Sequence, residues 1–288
     1  MPDVSDSGLM VRNIAIATDY SPWSDRAMQH ALAIAHRFGA ALHVVHAVRR
    51  SEFAFVPDLM VPIHEVAERD CENLMGHLCA AHSLDGIEHH CWNLDGECSE
   101  VFGEFARDHK IDLLVLGTRA RTGISKLLLG SIAEEIARAV PCPVLAIGPS
   151  SRNATRNLQV KRVLFATDLS LEASAAIPYV VTAAKAWEAE IDILPLCIPD
   201  ASNWQRVMEA FNRKLDFLAT GKREFSVVSL IKDAAPSRAV LDCARQHQED
   251  LIVFGLDHSG SAPGGAPLAH ADEIVRQARC PVLIVRSR

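Results

Sequence analysis

Short runs of aliphatic and β-branched residues recur along the chain, and most are followed by a stretch with helical spacing of apolar positions. In the first half the runs fall at 13–18, 41–48, 87–94, 111–117 and 143–148. Helical patterns lie between them at about 22–38, 63–83, 97–109 and 131–139. Ser21-Pro22 reads as the start of the first helix, with serine as the N-cap and proline at the first helical position, and Gly39 reads as its stop. The second half repeats the scheme with strands near 162–167, 190–197, 225–231, 250–256 and 281–286.

The two halves also share words in the same order. "NIAIATDYS" (13–21) matches "RVLFATDLS" (162–170), "IDLLVLG" (111–117) matches "EDLIVFG" (249–255), and "VPCPVLAI" (140–147) matches "ARCPVLIV" (278–285). A single repeat of this length means two homologous domains rather than a solenoid. The expected boundaries are 1–150 and 151–288, joined by the polar segment 148–160. Apolar strands separated by helices predict a parallel sheet covered on both faces. The predicted fold class is therefore α/β, with two tandem domains, each a five-stranded parallel sheet flanked by helices on both faces. Such sheets bind ligands beyond the carboxyl ends of their strands, where the strand order switches direction. Asp19 and Gly117 both stand at such ends.

Composition narrows the class. Of the 288 residues 49% are hydrophobic, enough for a packed core, and no apolar run is long enough to span a membrane. The start, "MPDVSDSGLM", is acidic and polar, unlike a signal peptide, so the expected location is the cytoplasm. The eight cysteines are scattered without a C-x-x-C and read as free thiols. Residues 1–150 carry 12 Lys/Arg against 20 Asp/Glu, and residues 151–288 carry 17 against 16. Neither half is the basic surface that nucleic-acid binding by phosphate neutralisation requires.

Against the acidic first half, "LGTRARTGISKLLLGSIAEE" (116–135) stands out, with Arg119, Arg121 and Lys126 and no acid before Glu134. It contains neither G-x-x-x-x-G-K-[ST] nor G-x-G-x-x-G. It still has the chemistry of an anion site: Gly130 admits close backbone approach, Ser131 opens a helix, and the first helical N–H groups carry partial positive charge.

These residues resemble the universal stress protein family, in two copies covering nearly the whole chain. Nucleotide-binding members of that family carry G-x2-G-x9-G-[ST] after the fourth strand and an Asp after the first. Here the pattern reads Gly117, Ala120, Gly130, Ser131, with Asp19 in "ATD" and the full spacing kept. The resemblance implies an adenine nucleotide alpha hydrolase-like fold that binds ATP together with Mg2+ or Mn2+. By position, Asp19 would hold the ribose or adenine side, or the metal, and Ala47 would line the adenine pocket. Leu116 and Gly117 would contact the nucleoside, and Gly130, Ser131 and Ile132 would hold phosphates, supported by the loop cations. Ala120 is the departure, a methyl group where glycine is usual.

In the second half the aligned loop reads Gly255, His258, Leu268, Ala269, so the Gly-Ser pair is gone and no Lys or Arg remains. That half is expected to pair with the first through the last strands, as an internal pseudo-dimer, and the family also allows whole chains to associate as a homodimer. Asp168 persists there, in a role a turn alone would explain.

Other constellations are weaker. His77, Cys79, His82, His89, His90 and Cys91 cluster without a zinc spacing, and neither G-x-S-x-G nor H-E-x-x-H is present. Segment 52–62 reads as a cover for the nucleotide, a partner contact or a surface loop. No residue is placed as a hydrolytic base. The leading expectation is an ATP-binding stress-response regulator with unidentified protein partners. A nucleotide-free interaction module and a slow ATPase or adenylyl-transfer enzyme remain open alternatives.

Overall fold

The computed structural model describes residues 10–48, 72–80, 84, 86–119, 131–152, 154, 158–167, 173–196, 225–227, 235–256, 261–262, 266–267 and 269–286. In the first half these form β1 (Asn13–Ala17), α1 (Pro22–Phe38), β2 (Ala41–Val48), α2 (72–80), β3 (His89–Asp95), α3 (Cys98–Asp108), β4 (Leu113–Gly117), α4 (Ser131–Ala139) and β5 (Val144–Ile147). In the second they form β6 (Arg162–Thr167), a 3-10 turn (Ala173–Ala176), α5 (Ile177–Trp187), β7 (Glu190–Pro195), β8 (Phe225–Val227), α6 (Pro236–Gln246) and β9 (Leu251–Leu256). The short strands β10 (Ser261–Ala262) and β11 (Ala266–Pro267) follow, then α7 (Ala269–Gln277) and β12 (Val282–Arg286). Segment 52–62, the start of the helix expected over 63–83 and the end of the strand expected over 225–231 lie outside the described residues.

The large sheet runs β3-β2-β1-β4-β5-β12-β9-β6-β7-β8. Every pairing in it is parallel except β5 with β12, where Val282 faces Ala146 and Ile284 faces Val144 in antiparallel register. The two "CPVL" strands thus join two five-stranded parallel sheets into one. Within each, the first strand lies between the second and the fourth, so chain order reverses there.

Residues alternate between the two faces of the sheet. Ile14, Ile16, Val163 and Phe165 pack on one side with α1 and α5. Ala15, Leu164 and Ala166 pack on the other, with Phe102, Ile136, Val240 and Ile274 of α3, α4, α6 and α7. Both layers run unbroken across the two halves, so burying the sheet also fuses them. Side chains of α1 lock the seam. The Arg26 guanidinium donates to Pro149 O at 2.7 Å, His30 Nε2 meets Arg152 O at 3.0 Å, and the ring of Phe38 lies edge-on to Trp187 at 5.6 Å. Gly148 is required there, because a Cβ would stand 1.9 Å from the Val275 carbonyl of α7.

One device is repeated in both halves. Asp112 accepts the N–H groups of Arg12 and Asn13 at 2.8 and 2.9 Å, pinning the entry to β1. Asp250 does the same for Lys161 and Arg162 at 2.8 and 3.3 Å, at the entry to β6.

Candidate functional site

The carboxyl ends of β1, β2 and β4 meet where the strand order of the first half reverses. Ala17 faces Leu116 on one side and Val45 on the other. Asp19 therefore emerges beside the end of β4, and Ala47 lies two residues beyond Val45 on β2.

The chain turns at this point by a dense set of local bonds. The Thr18 N–H donates to Val45 O at 2.9 Å, and its hydroxyl reaches Ser24 Oγ at 3.2 Å. Asp19 accepts the Ser21 N–H at 3.0 Å. Tyr20 takes the left-handed conformation at φ 56°, which a residue with a Cβ adopts only under such constraint. Ser21 then caps α1, accepting the Ser24 N–H at 3.3 Å. Partial burial alone would raise the Asp19 pKa, but the bonds from Ser21 and Ser24 outweigh it and hold the carboxyl below its usual value. Asp19 is thus an exposed, ionised carboxylate at the mouth of the crevice.

Gly117 has a reason of its own. A Cβ there would lie 2.2 Å from Trp23 O and 2.9 Å from Ser24 N, in the backbone of the first turn of α1. The glycine lets the start of that helix sit directly against the end of β4, so its packing role stands whatever the crevice holds. Leu116, before it, is 2% exposed and belongs to the core. It can offer the crevice its backbone but not its side chain. Ala47 is half-buried at the crevice rim, and Arg119 is exposed just past β4. Ser131 and Ile132 begin α4, with Glu134 in its first turn paired to Arg138 at 2.8 Å. Ala120, Arg121, Lys126 and Gly130 lie outside the described residues.

Three side chains that sequence reasoning missed frame the crevice. The Tyr20 hydroxyl donates to Asn93 Oδ1 at 3.1 Å, and its ring lies 4.4 Å from that of His46. His46 Nδ1 meets Thr18 O at 2.8 Å, and since a carbonyl only accepts, that nitrogen carries the proton. The signal was present as polar residues at the ends of three adjacent strands, but only the observed register brings them together.

Two halves of one fold, joined through their last strands and each reversing its strand order at its first strand, define a tandem architecture. The sequence pattern of the universal stress protein family matches residues 10–148 and again 159–286. The chain belongs to the universal stress protein family. A universal stress protein of Methanocaldococcus jannaschii is 31% identical over 140 residues, covering 48% of this chain and 82% of its own. One from Thermus aquaticus is 34% identical over 141 residues, covering 48% of this chain and 99% of its own. The crystal structure of an Archaeoglobus fulgidus universal stress protein overlaps 97% of this chain and 100% of its own, with a TM-score of 0.68 at 17% identity, a likeness of fold.

The second half of this universal stress protein treats its carboxyl end differently. The loop after β9 contains the β10–β11 ladder, with Ser261 facing Pro267, and α7 begins at Ala269 in place of a Gly-Ser pair. Among the His/Cys run of the first half, the Cys79 and Cys91 sulfurs lie 3.1 Å apart, and no third ligand joins them among the described residues. No helix among the described residues is long and apolar enough to cross a membrane.

Proposed function

We propose that this universal stress protein binds one ATP in the first-half crevice and acts as a cytoplasmic stress-response regulator through conformational or partner changes. The observation that carries the reading is the meeting of Asp19, Ala47 and Gly117 at the strand reversal, with Ser131 opening α4. In this reading Asp19 holds the ribose or the accompanying Mg2+ or Mn2+, for which its ionised carboxylate is suited. Ala47 lines the adenine side, and the backbone of Leu116 and Gly117 contacts the nucleoside. Gly130, Ser131 and Ile132 hold phosphates with Arg119, Arg121 and Lys126 as counter-charge. Residues 1–150 are the nucleotide domain. Residues 151–288 are the pairing domain of an internal pseudo-dimer.

The test is to denature gently purified protein and identify released nucleotide by chromatography. Adenine nucleotide from the wild type and none from Gly130→Val supports the reading; none from either, even after incubation with ATP and magnesium, contradicts it. A second reading, an interaction module without nucleotide, is favoured by Ala120 at a glycine position.

A further inference from the structure

The amino ends of the strands carry a different cluster, and the repeat supplies its control. Asn13 faces Ala41 as Arg162 faces Glu190, so His43 of β2 corresponds to Asp192 of β7. Ile14 faces Leu113 as Val163 faces Leu251, so His109 and Ile111 correspond to His247 and Glu249. In the first half these positions are filled by rings and an aliphatic side chain. His43 lies 5.7 Å from His109 and 5.8 Å from Phe105, and Ile111 is buried. The second half places charges on the same backbone. Asp192 is 2% exposed and Glu249 4%, where the first half buries isoleucine.

Arg162 answers part of that charge. It bonds Asp192 and lies 2.7 Å from Glu190, but its Nε is 3.8 Å from Glu249 Oε1, beyond hydrogen-bond reach. Neither Glu249 oxygen accepts a hydrogen bond from an N–H or hydroxyl group, although both are sealed from solvent, and the polar group within reach is the Asp192 carboxylate. A buried carboxylate in this condition is strongly unfavourable unless a proton or a cation joins it. His247 Nδ1 lies 3.7 Å from Asp192 Oδ2, too far for a hydrogen bond. That separation suits two ligands of one ion, which at metal–ligand distances of about 2.1 Å in tetrahedral geometry stand about 3.4 Å apart.

We propose that Asp192, His247 and Glu249 form a binding site for a divalent transition-metal cation of the zinc type. One ligand atom from each residue lies within 4.8 Å of the other two. One imidazole nitrogen with two carboxylates is a donor set for such ions, and it leaves a coordination position open. The left-handed turn at Gln248, φ 56°, ends α6 and carries His247 and Glu249 to the same side. His247 also lines an open cavity of about 540 Å³ with Arg152, Lys161, Arg162 and Asp250.

The test uses the full chain, stripped with a chelator and free of nucleotide, titrated with Co2+ as a visible probe and with Zn2+ in thermal melts. The wild type is expected to take one Co2+ per chain with a visible d–d band, and both ions are expected to raise its melting temperature. Glu249→Ile, which restores the first-half residue, is expected to keep the fold and lose both responses. His247→Gln is expected to weaken uptake at least about tenfold. A wild type that ignores both ions, or equal uptake by wild type and both variants, would overturn the proposal and leave a proton as the occupant.

Discussion

The two halves share a sheet and differ at its two ends. In the first half the carboxyl end is polar and open, with Asp19, Tyr20, His46 and Asn93 around a crevice, and the amino end is packed with rings. In the second half the order is inverted. The positions of Tyr20 and His46 hold Leu169 and Pro195, and the loop after β9 ends in Leu268-Ala269 after a β-ladder. The amino end instead gathers Arg162, Asp192, His247 and Glu249. What both halves keep is what the fold needs: the parallel registers, the Asp112 and Asp250 anchors, and the closing strands. Duplication leaves each copy free to specialise wherever the other supplies the pairing.

The largest effect expected from disturbing this comparison is at Gly117. Gly117→Ala forces a methyl group into the Trp23 backbone, and thermal or urea unfolding should register a loss of about 1–3 kcal/mol or more. A fully stable Gly117→Ala would mean that α1 is not held against β4 as described.

Acid sharpens the contrast next, because two deeply buried histidines belong to the first half. Burial lowers the His30 pKa to about 4, with Arg26 adding to the shift and the Arg152 carbonyl opposing it. Burial and the neighbouring His90 and His109 lower His43 to about 4, against Glu88. The folded state thus binds fewer protons than the unfolded chain. Their contribution is intact above about pH 6.5 and is lost as pH falls toward 4. The urea midpoint should fall across that window, and His43→Phe should flatten the fall; an unchanged slope in that variant would remove His43 from the account.

Giving the first half the second half's residue makes a smaller change. Tyr20→Leu removes the bond to Asn93 and the contact with His46, and should weaken ATP binding about fivefold, equivalent to about 1 kcal/mol. Equilibrium dialysis would read this, and unaltered affinity would detach the Tyr20 frame from the ligand. An effect of similar size is expected at the cap. Ser21→Ala should cost about 1 kcal/mol of stability in a denaturant melt while leaving the sheet intact.

Much of the scaffold could be read from the chain because it rests on local pattern. The β2 strand expected over 41–48 and the helix expected over 131–139 have the observed bounds, and the last-strand pairing that the family resemblance implied joins the two "CPVL" strands. The strands expected at 87–94 and 111–117 start two residues later, at His89 and Leu113, where edge exposure and the Asp112 anchor delay the ladder. The site was legible only as far as its motif. Gly117 looked like a ligand contact, but its reason includes the backbone of α1, distant in sequence. The contacts of Tyr20 with His46 and Asn93 and the meeting of Asp192 with Glu249 depend on long-range register, which no local pattern encodes.

The most direct measurement is calorimetric titration of nucleotide-stripped protein with ATP and magnesium, beside Gly130→Val. The account predicts saturation at one nucleotide per chain in the wild type and no heat of binding in the variant. Two nucleotides per chain, or saturation that survives Gly130→Val, would contradict the division of labour between the halves.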